Sequence, residues 1–508
     1  MDELAPRLDF KHSAFARHTI RHRWPVILAQ LIDSVYRNRV RYQEDEGIDP
    51  EKLKSLTGCI GQLRYEVTTD KPITLLSSVL PNFSEELEVW NSRLHAIGVK
   101  LTGKDDLKGA TSQHPSWHSL PWLFTECYLY RRIMDHVFHH GLLSFDPFAA
   151  KKHSGLKGSV ALLEQLLRFL SLLEDTCGYT SDEEIFETFF QAALWANEFD
   201  LSLHAKEEHH VGGTSDLPTH IRRMLERMVV NDTHELWRFW TNRMKGPSSV
   251  SFKQEHITSI VLDNAGPELV ADLCLAEFLI RSQLTSKVVF YPKCIPWFVS
   301  DVTAADVDWL LKVGLSTEFL PGPIGVLAHT WACRWTERFK SGEFIVRNST
   351  FWTLPCDFAE LAANERTLCD ALTQSDVVVF KGDLNYRKLV GDRSWTPDNP
   401  QHKLNAFRAM QLGRAVSSDG LIDCKCTPVS EIRSDSCKHP LGAPVDCRCH
   451  NEDSPSSPPL VIALRVAKAD VAVGLSPEML RKVTTESSDW WTLGRYGFVQ
   501  LISPLYFG

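Results

Sequence analysis

What most limits the possible folds of this chain is a change of hydrophobic period near its middle. Four short apolar, β-branched runs stand in the second half, at Ile257–Leu262, Lys287–Tyr291, Asp376–Phe380 and Leu460–Leu464. Each leads through a turn into a stretch of helical character. Continuous apolar runs of this length belong to strands covered on both faces, the condition of a parallel sheet wrapped by helices. The predicted fold is α/β. It pairs an N-terminal helical domain, residues 1–230, with a C-terminal Rossmann-like three-layer α/β/α domain, residues 231–508, built on a mostly parallel sheet.

The helical half rests on the period of its apolar residues. Arg23–Val40 spaces Val26, Leu28, Leu31, Ile32 and Val35 for one helix face, and Gly158–Asp175 does so with Leu162, Leu163, Leu166, Leu167 and Leu170. Ser181 and Glu184 form a capping-box pattern ahead of the stripe Ile185, Phe186, Phe189, Phe190, Ala193 and Leu194.

Charge and composition narrow the function classes. The 508 residues carry a formal charge of −9, which offers no general attraction to nucleic acid or to an anionic membrane. The uncharged stretch Phe319–Cys333 holds two prolines and falls short of the roughly 20 apolar residues of a membrane span. Met1–Lys11 lacks the apolar region of a secretory signal. Thirteen cysteines, most of them single in apolar surroundings (Cys127, Cys177, Cys274), suit a reducing compartment. The expectation is a soluble, cytoplasmic protein, with the nucleus left open as a second location, that acts on a small molecule. Its oligomeric state is not legible.

Open α/β sheets bind ligands at the carboxyl ends of their strands. The first strand ends in Asp263-Asn264-Ala-Gly266, whose hard oxygens suit Mg²⁺ or Mn²⁺, although the same tetrapeptide also serves as turn and N-cap. The second leads to Asp301, a further oxygen ligand or the cap of a helix near Ala304. The third gives the densest polar cluster, Lys381-Gly382-Asp383-Leu384-Asn385-Tyr386-Arg387-Lys388, and the fourth runs to Arg465-Val466-Ala467-Lys468. Oxygen ligands beside fixed cations are what phosphoryl transfer requires.

These motifs resemble the DUF89 family, in particular its eukaryotic subfamily III, the damage-control phosphatase/acidic-residue methyltransferase group. Trp122–Arg132 and Leu194–Ser202 resemble that family's helical domain, so the likeness spans nearly the whole chain. The resemblance implies a metal-dependent phosphatase of small phosphometabolites, among them fructose 1-phosphate and fructose 6-phosphate, using Mn²⁺, Ni²⁺, Co²⁺ or Mg²⁺. Position by position, it makes Asp263, Asn264 and Asp301 the metal ligands and catalytic residues. Asp263, Asn264, Asp383, Leu384, Asn385, Tyr386, Arg387 and Lys468 become the substrate site. In this reading Arg387 and Lys468 neutralise the phosphate, while Asp383 and Asn385 orient hydroxyls or water. The nucleophile stays open between a water and the Asp263 carboxylate. Family members have also been assigned S-adenosylmethionine-dependent carboxyl methyl transfer, in which Glu268 and Asp301 would face the methyl donor. A third alternative is a weakly active or non-catalytic sugar-phosphate-binding homologue.

Two departures stand out. Val466 occupies a position that is Thr in the family's Arg-Thr-x-Lys motif, so a hydroxyl is lost while the shape is kept. Ser417–Pro459 is longer than the usual connection and carries Cys424, Cys426, Cys437, Cys447, Cys449 and His450. Its C-x-C pairs chelate tetrahedral zinc poorly, and a long polar loop cannot offset its ordering entropy by burial. The expectation there is a mobile insert, with a zinc site as the alternative. His136, His139 and His140 read as a helix end closed by Gly141, and His209-His210 as a solvated pair. No nucleophile elbow, Walker loop or dinucleotide fingerprint stands where a strand-loop-helix would need it.

Overall fold

The computed structural model describes residues 4–78, 84–102, 115–173, 183–204, 217–244, 255–408, 422–423, 438–439 and 459–502. Nine strands occur among them, in chain order: β1 (Met228–Asn231), β2 (Ile257–Val261), β3 (Lys287–Tyr291), β4 (Phe344–Val346), β5 (Val377–Lys381), β6 (Ile422–Asp423), β7 (Lys438–His439), β8 (Leu460–Val466) and β9 (Gly497–Ile502). Seven form one sheet in the order β1-β9-β8-β5-β2-β3-β4, and β6 pairs with β7 alone. Every pairing in the large sheet is parallel except β8 with β9. The fold is thus mixed α/β, with N-terminal helices followed by a mostly parallel sheet and interleaved helices.

Each predicted strand lies within a residue or two of an observed one, because no other arrangement buries such runs on both sides. All five residues of β5 are buried. Its alternate side chains enter two separate cores. Val378 and Phe380 join the helices of residues 14–148 and the segment 351–407. Val377 and Val379 join helices Val160–Leu172, Glu183–His204 and Pro267–Arg281. Helices that precede residue 230 therefore cover both faces of the sheet.

The first helical stripe departs from expectation at one position. Trp24–Arg37 buries Trp24, Leu28, Leu31 and Val35, whereas Val26 is 54% exposed. The cause is helix geometry: at about 100° per residue Val26 lies about 200° from Leu28, so a regular helix sets it on the face opposite Leu28, Leu31 and Val35. Just upstream, Ala14–His18 passes into a π-helical turn, Thr19–Arg23, and such turns concentrate at functional sites. The second stripe holds throughout, with Leu162, Leu163, Leu166, Leu167 and Leu170 all buried. Helix Trp122–His139 ends before Gly141, at φ 70°, as the histidine segment suggested. The Ser181 cap, Cys177, His209-His210 and the Cys/His groups of the insert lie outside the described residues.

The topology places the site. From β2 the chain moves outward to β3 and β4, then returns to the other side of β2 to lay down β5. The reversal opens a crevice between the carboxyl ends of β2 and β5, the switch point at which α/β sheets bind ligands.

Phe380, on β5, packs with ring centroids 5.0 Å from Phe358 and 6.4 Å from Trp352. Phe380→Ala is expected to lower unfolding free energy by about 3–5 kcal/mol in urea denaturation, the range for a fully buried aromatic. A loss below about 1 kcal/mol would show that this core is not packed as described.

Candidate active site

The four strand ends named from sequence meet in one cavity of about 590 Å³. It is lined by Asp263, Asn264, Glu268, Asp301, Asp383, Leu384, Arg387 and Lys468, and Val466 forms part of its wall. At its floor the turn after β2 meets the segment after β3. Asn264 and Asp301 face each other as a bridge pair, and the Val302 amide donates to the Asp263 carbonyl at 2.8 Å. The Asn264 amide donates to Asp263 Oδ2 at 2.7 Å and to Glu268 Oε2 at 2.8 Å, while Ser300 Oγ donates to Asn264 Oδ1 at 2.6 Å.

Two backbone features make this approach possible. Gly382 has φ 89°, and a Cβ there would lie 2.0 Å from Asp263 Cγ. Only glycine lets the β5 turn pass the carboxylate. Phe298 and Val299 hold φ of 44° and 73°. That region is costly for a β-branched residue, and strain of this kind gathers at functional sites. Phe298 is held by stacking on Tyr130, with ring centroids 4.4 Å apart. Asp301 does not cap the following helix; Thr303 does, through a capping box with Asp306.

The carboxylates at the floor are short of positive charge. Burial, Glu268 and Asp301 together push the Asp263 carboxyl well above its ordinary range. Burial lifts Asp301 to about 6, against the pull of Lys293 and Lys152. Lys293 Nζ stands 3.6 Å from Asp301 Oδ2, too far for a hydrogen bond, and that oxygen is buried without a partner. A buried, unpartnered carboxylate oxygen beside a second carboxylate and a carboxamide is the donor chemistry of a hard divalent cation. Asp263, Asp301 and Asn264 could hold one, with Asn264 presenting its oxygen after an amide flip. Among the described residues, no three His, Cys, Asp or Glu side chains form such a group by themselves, so the carboxamide is needed.

Most cations of the polar cluster, Arg387 among them, are committed to the protein. Lys381 is buried and reaches Asp272 at 2.6 Å, Glu268 at 2.9 Å and the Ala193 carbonyl at 2.7 Å. Lys388 lies away from the cavity and donates to the carbonyls of Trp352 and Leu354 at 2.9 and 2.7 Å. Arg387 lines the cavity, but it donates to Asp392 through Nε at 2.8 Å and to Glu126 through Nη1 at 2.5 Å. A third contact, Nη2 to Asp392, is 3.3 Å long. Two of its five N–H groups remain. Lys468 is the accessible cation of the motif set: it is 45% exposed, with Nζ 4.0 Å from Glu198.

The side chains of Asn385 and Tyr386 do not line the cavity. Asn385 is buried and donates to the Lys381 carbonyl at 2.7 Å. The Tyr386 hydroxyl donates to Gln500 and accepts from the Val473 amide, both at 3.1 Å. In a helix only one face can meet the ligand, so the side chains that follow Asp383 and Leu384 turn inward to brace the turn. Asp383 accepts from Arg465 Nε at 2.7 Å and from the Lys468 amide at 3.0 Å. Despite burial, Arg465 and Arg387 hold its carboxyl below the usual range.

Sequence reasoning passed over part of the wall. His18 reaches the cavity from the end of helix Ala14–His18, His22 and Arg23 from the π-helical turn, and Lys151 from helix Ala149–Gly158. Their only signal was the basic run Arg21-His22-Arg23 beside Trp24. Glu126 and Asn197, from the segments Trp122–Arg132 and Leu194–Ser202 that carry the helical-domain resemblance, both line it.

A family model described as damage-control phosphatase ARMT1-like domain matches residues 19–483. The Homo sapiens protein named damage-control phosphatase ARMT1 is 31% identical over 510 residues, which cover 97% of this chain and 97% of that one. The Danio rerio protein of the same name is 30% identical over 503 residues, 97% and 95% of the two chains. That of Xenopus tropicalis is 31% identical over 499 residues, 96% of each.

The raised Asp301 pKa has a consequence for stability. Folding keeps a proton on Asp301 up to about pH 6, while the unfolded chain loses it near the ordinary aspartate value of 3.8. The folded state binds more protons across that window, so this group's contribution to stability falls as pH rises through it. In chelator-treated protein, urea midpoints should show Asp301→Asn gaining on the native chain between about pH 4 and about pH 6. A constant difference would contradict the assigned burial.

Proposed function

The chain belongs to the damage-control phosphatase ARMT1-like family, and from that membership we propose that it is a metal-dependent phosphomonoesterase of small phosphometabolites. Hexose phosphates such as fructose 1-phosphate and fructose 6-phosphate are the proposed substrates. The observation that carries this reading is the meeting, in one cavity, of Asp263, Asn264, a buried Asp301 oxygen that makes no hydrogen bond, and the accessible Lys468. A volume of about 590 Å³ lies within the usual range for small-molecule sites. No helix among the described residues is long and apolar enough to cross a membrane.

Asp263, Asp301 and the Asn264 carboxamide hold the cation, which when bound polarises the phosphoryl oxygens. Lys468 lies across the cavity as a mobile charge and stabilises the negative charge that develops on the phosphoryl group. Arg387 turns its remaining N–H groups toward the same space, and the clamp of Glu126 and Asp392 keeps the guanidinium from collapsing onto the acidic floor. Asp383 works through others: by binding both Arg465 and the Lys468 backbone it fixes the origin of the lysine side chain. Tyr130, Phe298, Leu194 and Val466 supply an apolar wall that limits water near the ester. Val466 offers no hydroxyl there, so positioning of the lysine falls to Asp383.

Phosphate release from hexose monophosphates, measured with Mn²⁺ or Co²⁺, is expected to stop on chelation. Asp263→Asn should lower kcat/KM at least about 100-fold, and Lys468→Gln about 10- to 100-fold. Full hydrolysis by Asp263→Asn would overturn the metal assignment. Methyl transfer from S-adenosylmethionine to protein carboxylates without phosphate release would replace this reading by the methyltransferase alternative. Binding of metal and sugar phosphate without turnover would replace it by the non-catalytic one.

A further inference from the structure

The cavity has a second charged pole that the proposed chemistry does not use. Its floor is acidic, while its mouth carries His18 from the end of helix Ala14–His18, His22 and Arg23 from the π-helical turn, and Lys151 from the neighbouring helix. The fold itself sets this rim: Thr19, Ile20 and Trp24 are buried, and the extra residue of the turn leaves His18, His22 and Arg23 exposed on one side. The two imidazoles stand with ring centroids 5.1 Å apart, and the Arg23 guanidinium lies 5.7 Å from the Phe15 ring.

These groups differ from the other basic side chains at the site. Lys381, Arg387 and Arg465 each hold a carboxylate at hydrogen-bonding distance. Among the described residues, none of His18, His22, Arg23 and Lys151 makes an ion pair. Glu126, the acidic group of the cavity on which the Arg23 charge acts, is instead paired with Arg387. On the wall of a ligand cavity Arg23 and Lys151 offer charge-assisted hydrogen bonds to an anion, the two imidazoles offer further N–H donors, and a guanidinium fork suits phosphate geometry.

We propose that His18, His22, Arg23 and Lys151 form a second anion subsite, so that the preferred substrate carries a second phosphate remote from the ester that is cleaved. The substrate class is a sugar bisphosphate, one phosphate at the acidic floor with its cation and Lys468, the other at the mouth. This rests on the phosphatase reading of the same cavity, since that reading places the first phosphate. The second phosphate takes no part in bond breaking; it orients the sugar.

The test compares fructose 1,6-bisphosphate with fructose 6-phosphate, by calorimetric binding in the presence of Mn²⁺ and by phosphate release. The native protein is expected to bind the bisphosphate about 10- to 100-fold more tightly, the scale of one or two charge-assisted hydrogen bonds. Arg23→Gln, and separately His18→Gln with His22→Gln, should reduce bisphosphate affinity at least about five times more than monophosphate affinity. Arg23→Lys should recover only part of the loss, because it restores charge without the fork. All four positions are on the exposed rim, and an unchanged thermal midpoint would show that the variants fold. Equal binding of the two sugars, or equal losses for both in the variants, overturns the subsite and leaves monophosphate hydrolysis intact. If neither sugar is hydrolysed with any divalent metal, the phosphatase reading fails. The binding comparison then decides the subsite by itself: an Arg23-dependent preference sustains it, and no preference overturns it.

Discussion

The architecture of this site follows from an excess of buried negative charge at the carboxyl edge of a parallel sheet. Asp263, Glu268 and Asp301 are brought together by β2 and by the strained segment after β3; with burial, Glu268 and Asp301 raise the cost of ionising Asp263, and Glu268 that of Asp301. The protein offsets part of that cost from behind. Lys381 takes Glu268 and Asp272, Lys293 stands near Asp301, and Arg465 takes Asp383. What remains uncompensated faces the cavity. Breaking one of these inner pairs would leave a buried charge alone, at a cost of about 3–5 kcal/mol, so these lysines and arginines are structural members first.

The same account explains why a sequence rich in basic residues near the motifs leaves few of them free. Lys381, Arg387 and Lys388 stand within one motif and might each be taken for a phosphate ligand. Burial decides otherwise. A fully buried lysine or arginine is kept ionised by carboxylates or carbonyls, and those partners occupy its donors. Lys468, half-exposed, hydrogen-bonded through its backbone to Asp383 and only loosely paired with Glu198 at 4.0 Å, is the cation left mobile enough to follow a ligand.

Much of this was legible in the sequence, for definable reasons. The strands β2, β3, β5 and β8 declared themselves as apolar runs, and Asp263, Asn264, Asp301, Asp383 and Lys468 were found because strand ends are where such sheets place ligands. The β1 strand was hidden at the edge of a helical region, too short to carry a period of its own. Asn385 and Tyr386 share the motif but not the cavity, because helical turning sends alternate side chains inward and a linear motif does not show which. Val26 was read into a buried stripe although its spacing of two residues from Leu28 puts it on the opposite face of a regular helix. The rim of His18, His22 and Arg23 was invisible for a different cause: nothing in the spacing marks the π-helical turn. The reading of the Cys-rich insert falls on residues outside the described structure.

The central claim is that Asp263, Asn264 and Asp301 share one divalent ion. Titration of chelator-treated protein with Mn²⁺, followed by electron paramagnetic resonance, tests it most directly. The account requires the free-ion signal to be quenched up to one equivalent per chain, and requires that quenching to disappear in both Asp263→Asn and Asp301→Asn. No uptake by the native chain, or unchanged uptake in both variants, would contradict it.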